Sequence, residues 1–220
     1  MYTKQHYTVP GTGLSLGYLQ YLPADACTDP ADRALPLVIF LHGSGERGDG
    51  SDSELDRVAV HGWPRYVREG TDYPFILICP QCPRDTHWGG ILESMNRFLD
   101  HLLDTLPVDR ARVYLTGLSM GGTGTWLWAS VSASRFAALI PVCGAGVGWL
   151  SCTCLHTPIR AFHGSVDGAI DCYESIRMVN RINAQGGHAD LTVYPGVGHN
   201  CWEKAYTDPT LIAWMLEQHL

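Results

Sequence analysis

The chain has 220 residues, 45% of them hydrophobic and 17% charged, with 15 basic and 22 acidic side chains and a formal charge of −7. That apolar fraction excludes wholesale disorder, and the length suits a single domain over residues 1–220. The acidic balance, with no basic run to offset it, excludes broad binding to nucleic acid or anionic membranes.

The N-terminus has no apolar signal core, and no stretch approaches the roughly 18 apolar residues of a membrane span. The expected location is cytoplasmic, with no membrane partner. The first strand expected is residues 14–22, an antiparallel edge element with a Gly-rich lead-in. Further strands are expected at 37–42, 75–79, 112–116, 138–142, 159–162 and 191–194. Several are continuous runs of Val, Ile and Leu, as strands covered on both faces require. Helices are expected between and after them, at 54–69, 91–106, 121–132, 173–185 and 202–219. Over 91–106, Ile91, Met95, Phe98, Leu99 and Leu102 recur at three- and four-residue steps, which places them on one helix face. Strand–helix alternation of this kind predicts an α/β fold with a mostly parallel sheet and helices on both faces.

Eight cysteines are present. Cys79 and Cys82 form one close pair and Cys152 and Cys154 another, but the interval between the pairs matches no compact zinc ribbon or finger. With Cys27, Cys143, Cys172 and Cys201 they read as buried or half-buried thiols, with room for one disulfide. No metal and no cofactor are expected.

A Gly-x-Ser-x-Gly pattern occurs around Ser15 and again around Ser119. A nucleophilic serine of this kind needs a strand, a sharp turn and then a helix. Ser15 is followed by extended-reading chain, whereas Ser119 lies between RVYLTG and a helix-like stretch, with Gly121 and Gly122 at the helix start. Gly43-Ser-Gly45-Glu-Arg-Gly48 formally matches a dinucleotide fingerprint, but Asp49 and Asp52 follow in a loop where a pyrophosphate would need a helix N-terminus. The better reading is a Gly-rich turn offering the N–H of Ser44, with that of Met120, to a developing oxyanion.

A serine hydroxyl needs a base oriented by a third group, here in the chain order serine, acid, histidine. Asp167 and His199 each sit in a loop at the C-terminal end of an expected strand, and they are the candidate acid and base. Asp171 is the rival acid, better suited to capping the next helix with Glu174. Of the ten histidines, His42 and His163 precede glycines at strand ends and read as braces for the loops.

Five segments carry a family resemblance, and they occur in the expected order: LHGSGERG, QCPRDTHW, GLSMGG, FHGSVD and YPGVGH, between residues 41 and 199. Together they resemble the α/β-hydrolase superfamily, and within it small bacterial carboxylesterases of the phospholipase/carboxylesterase and dienelactone-hydrolase-like branch, often called predicted peptidases. The resemblance implies Ser119, Asp167 and His199 as nucleophile, acid and base, and places the loop from Gln81 to Trp88 at the border of the site. Gln81, Trp88 and, three residues after the base, Trp202 are the substrate-binding candidates; packing is the competing role for both tryptophans. The length leaves no room for a large cap, so an open site is expected, roofed by loops 45–54 and 144–156. The expected activity is hydrolysis of small carboxylic esters with short-acyl, aromatic or sugar groups. A peptidase or amidase using the same residues, and a non-catalytic ligand-binding protein, are the alternatives. Oligomeric state is left open.

Overall fold

The computed structural model describes residues 1–23 and 34–220; Cys27 lies outside the described residues. Its eight strands are β1 (Thr3–Thr8), β2 (Ser15–Tyr21), β3 (Leu35–Leu41), β4 (Ile76–Pro80), β5 (Val108–Leu118), β6 (Ala138–Val142), β7 (Ile159–Gly164) and β8 (Ala189–Tyr194). They form one sheet in the order β1-β2-β4-β3-β5-β6-β7-β8. The expected N-terminal edge hairpin is present: β2 pairs antiparallel with both β1 and β4, and every other pairing is parallel.

The burial expected of the apolar runs is met. Every residue of β3, β4 and β6 is buried, because packed layers cover both faces of the sheet centre. One layer includes α3 (Leu92–Thr105), which turns Met95, Phe98, Leu99 and Leu102 onto the sheet. The other includes Trp63, Tyr206, Leu211 and Met215 from the shorter helices.

Two expected helices are broken. In place of a helix over 54–69 the chain forms α1 (Asp52–Leu55), a 3₁₀ turn (Asp56–Ala59) and α2 (Gly62–Arg68). His61 is extended and Gly62 has φ +59°, so the chain re-aims before Trp63 enters the core. A Cβ at Gly62 would lie 2.8 Å from the Tyr206 ring and 3.0 Å from Phe40, which is why the turn takes a glycine. The expected helix over 202–219 divides into α6 (Trp202–Ala205) and α7 (Leu211–Leu216). Pro209 disfavours helical backbone at Asp208, whose carboxylate instead accepts the Thr210 N–H at 2.8 Å. The remaining helices, α4 (Met120–Ser132) and α5 (Tyr173–Ala184), start and end within a residue of expectation.

After β3 the chain moves to one side of the sheet to form β4, and β5 then returns to the other side of β3. The C-terminal ends of β3 and β5 therefore flank the point where strand order reverses, the place where open α/β sheets leave a crevice. Among the described residues no separate cap covers these ends. No helix there is long and apolar enough to cross a membrane.

Candidate active site

Ser119 occupies the single residue between β5 and α4, with φ 55° and ψ −118°. The region is costly for a residue with a Cβ. The turn is held by the Ser119 N–H, which donates to Val142 O on β6 at 2.9 Å. It also requires a close approach that only glycine permits, because a Cβ at Gly121 would lie 1.9 Å from Leu41 O. Strand, turn and helix thus lift the Ser119 hydroxyl above the sheet.

The hydroxyl lies 2.7 Å from His199 Nε2, and His199 Nδ1 lies 2.7 Å from Asp167 Oδ2. Asp167 follows β7 and His199 follows β8, so the loops after β5, β7 and β8 supply one hydrogen-bonded line. The Asp167 side chain is fully buried. Burial alone would raise its pKa, but the hydrogen bonds from His199 and from the N–H groups of Ile170 and Ala169 outweigh it and hold the carboxyl below its ordinary value. An ionised acid fixes the His199 proton on Nδ1 and leaves Nε2 free to accept from the serine. Asp171 lies apart from this line; its carboxylate accepts the Tyr173 N–H at 2.8 Å, at the start of α5.

Ser44 opens a 3₁₀ turn (Ser44–Glu46) and Met120 opens α4. N–H groups at a helix start have no partner within the helix, and neither of these donates to a protein acceptor among the described residues. Behind them, His42 is buried and accepts the Cys82 N–H at Nε2 (2.9 Å), which puts its own proton on Nδ1, 2.6 Å from Gly43 O. Burial lowers the His42 pKa to about 4, so the imidazole is neutral.

The burial of Gln81 and Trp88 departs from the expected role. Trp88 is 1% exposed, and its indole N–H donates to His42 O at 3.0 Å. Gln81 is 2% exposed; it accepts the Gly50 N–H and donates to Glu46 O and Glu54 O, each at 3.0 Å. Gln81 is enclosed by the backbone of the loop it holds, and Trp88 packs in the core against Gly124 and the His42 ring, so neither offers the site an exposed surface. Trp202 is half-buried and meets the His199 ring edge-on, with centroids 5.5 Å apart.

Two neighbours of the site carried no distinguishing signal in the sequence. Glu46 ends the Ser44–Glu46 turn; burial raises its carboxyl from the ordinary value, opposed by His61 and by the Gly43 N–H. Cys143, at φ 42°, offers a sulfur that lies within 4.8 Å of ligand atoms of Asp167 and His199. Burial keeps that thiol protonated, and the other two groups are bonded to each other, a donor set suited to moving a proton. The described cysteines are all free thiols; Cys152 is exposed and the others are buried.

Comparison with known proteins agrees with this architecture. The profile of the dienelactone hydrolase family matches residues 86–208, more than half of the chain, including Ser119, Asp167 and His199. The bifunctional acetylxylan esterase/xylanase XynS20E of Neocallimastix patriciarum is 27% identical over 147 residues, covering 62% of this chain and 20% of that protein. Acetylxylan esterase A of Emericella nidulans is 25% identical over 150 residues, covering 61% of this chain and 44% of that one. The crystal structure of a thermostable esterase superposes with a TM-score of 0.85 at 31% identity, over all of this chain and 63% of the other. The chain thus spans less than two thirds of the length of each of these relatives. With the family profile matched across most of the strand ends that carry the site, the chain belongs to the dienelactone hydrolase family, on an α/β-hydrolase fold.

Proposed function

We propose that the protein is a serine hydrolase of carboxylic esters, with Ser119 as nucleophile, His199 as general base and Asp167 as the acid that orients it. The observation that carries this reading is the unbroken line of two 2.7 Å contacts, from the Ser119 hydroxyl through both ring nitrogens of His199 to Asp167.

In the first half-reaction Ser119 Oγ attacks the ester carbonyl carbon and its proton passes to His199 Nε2. The carbonyl oxygen takes up the negative charge and accepts the N–H groups of Ser44 and Met120, which are aimed before the charge develops. Asp167 stabilises the imidazolium, the tetrahedral species collapses, and His199 returns the proton to the departing alcohol. In the second half-reaction water loses its proton to His199 and attacks the acyl-serine. The acid then leaves and Ser119 regains its hydrogen.

The open strand ends favour small acyl groups on a bulky alcohol. Acetyl esters of carbohydrates are a suitable class, and the acetylxylan esterases among the relatives support it. Trp202, against the base, is the residue assigned to contact substrate.

A fluorophosphonate probe tests the nucleophile: wild type should be labelled and Ser119→Ala should not. Equal labelling of both proteins, or none of wild type, refutes the assignment. A panel of p-nitrophenyl esters against aminoacyl nitroanilides separates esterase from amidase. Turnover confined to the anilides would replace the ester reading, and ligand-induced stabilisation without turnover would make this a binding protein.

A further inference from the structure

A cavity of about 470 Å³ opens at the sheet edge formed by β1 and β2. In the sheet β4 and β3 separate β2 from β5, and none of Ser44, Ser119, Met120, Asp167 and His199 lines the cavity. Its apolar wall is Leu19 on β2, Ala59 in the 3₁₀ turn and Val67 on α2, all buried, together with half-buried Tyr2 just before β1. The charged lining residues are Lys4, Asp56 and Arg68, and all three are exposed. The cavity is therefore apolar inside and charged at its rim, the form that small-molecule sites take, and its volume lies within their range.

The walls are tied together at two points. The Tyr2 hydroxyl donates to Pro64 O on α2 at 3.2 Å, and Lys4 Nζ donates to Asp52 O on α1 at 2.6 Å and to Asp56 Oδ2 at 3.0 Å. The rim charges are thus unequal. Lys4 and Asp56 neutralise each other, whereas Arg68 has no ion pair or hydrogen bond among the described residues; the next acid, Glu69, faces Arg65 at 3.5 Å. The only polar side-chain group in the apolar wall is the Tyr2 hydroxyl, already committed to Pro64 O. A sugar in the cavity would leave its hydroxyls unpaired against Leu19, Ala59 and Val67.

We propose that this cavity is a binding site, separate from the active site, for a free fatty acid with a straight chain of about ten carbons or fewer. The alkyl chain lies among Leu19, Ala59 and Val67, where every methylene leaves water. The carboxylate stays at the rim against Arg68, the one lining cation that no acid of the protein neutralises. The proposal does not depend on the identity of the nucleophile.

Isothermal titration calorimetry of the full chain with hexanoate, octanoate and decanoate, and with octan-1-ol and octylammonium, tests the site. Affinity for the carboxylates should rise by about fourfold for each added methylene, and octanoate should bind more tightly than octan-1-ol and far more tightly than octylammonium. Arg68→Gln, a change to an exposed side chain, should weaken octanoate by about fivefold and leave octan-1-ol unaltered. Ala59→Leu, which fills the cavity, should weaken decanoate more than hexanoate; if that variant does not fold, Arg68→Gln decides alone. Absence of octanoate binding, or octanoate binding that Arg68→Gln leaves unchanged, overturns the proposal. Wild type carrying the fluorophosphonate label should bind octanoate as the unlabelled protein does. Binding abolished by the label would place the acid at the active site and overturn the separate site while leaving the esterase reading intact. A dimer on sedimentation that Ala59→Leu dissociates, with no uptake of octanoate, would assign the cavity to a second copy of the chain and overturn the proposal as well.

Discussion

His163 Nε2 lies 3.2 Å from Asp167 Oδ2, the carboxylate oxygen that also meets His199. Asp167 is thus clasped between two imidazoles. His199 faces the serine and His163 faces the interior, where it is fully buried. The Nε2 atom of His163 also lies 3.0 Å from Ile170 O, so it faces two acceptors and carries the proton, while Nδ1 accepts from the Ser175 hydroxyl at 2.7 Å. The proposed acid is thus anchored to α5 through a fully buried histidine.

Replacing His163 with Ala should therefore lower both stability and turnover. Ser175, Ile170 O and Asp167 lose a buried partner, a loss of about 2 kcal/mol. With Asp167 free to shift, kcat should fall roughly tenfold while KM changes little. Urea unfolding and steady-state kinetics on a p-nitrophenyl ester check the two effects. Loss of stability with full kcat would reduce His163 to a packing role.

Acid should destabilise the fold through His42. Its folded pKa is about 4 against an unfolded value near 6.5, because burial penalises the charged ring. Between these values the unfolded state binds the extra proton. The contribution of His42 is therefore complete above pH 6.5 and is lost as pH falls toward 4, by about 3 kcal/mol at most. The depressed Asp167 acts in a lower window: its contribution is present above the ordinary carboxyl value of 3.8 and goes as pH falls through the folded value below it. Urea midpoints measured from pH 7 to pH 4 should decline in wild type, with a shallower decline in His42→Gln.

The strained backbone of Ser119 gives a comparison of two variants that lack the proposed nucleophile. Ser119→Gly and Ser119→Ala both lack the hydroxyl, but only glycine relaxes at φ 55°. The Gly variant should be the more stable by about 1 kcal/mol, visible as a higher melting temperature. Equal melting temperatures would mean that the turn stores no strain.

Gln81→Ala should loosen the loop that carries the Ser44–Glu46 turn. Its amide satisfies Gly50 N, Glu46 O and Glu54 O, all on one loop, and truncation leaves them unpaired at a cost of about 2 kcal/mol. Amide hydrogen exchange over residues 45–55 should accelerate in this variant, with the sheet unaffected.

Much of this molecule was legible in order along the chain. The α/β alternation was readable because strands covered on both faces must be continuous apolar runs, and β3, β4 and β6 are such runs. Ser119, Asp167 and His199 stood out because each follows a strand in a Gly-rich turn. The two broken helices were less legible. Their apolar residues keep helical spacing, and what stops them is local: an extended His61 before Gly62, and the backbone restriction that Pro209 puts on Asp208.

Gln81 and Trp88 mark where sequence position misleads. Both border the site along the chain, yet their side chains are buried, and each bonds backbone groups of the neighbouring loops. Side-chain direction depends on which unpaired N–H and C=O groups the fold brings near, and buried backbone demands partners.

The sequence by itself determined the class of fold, the family and the candidate nucleophile, acid and base, because each depends on residue type and on order along one chain. Only the tertiary structure decided that His163 shares the carboxylate of Asp167 and that Cys143 and Glu46 border the site. Those relationships join residues from separate loops. Their distances follow from how the sheet gathers its strand ends, which no local pattern encodes.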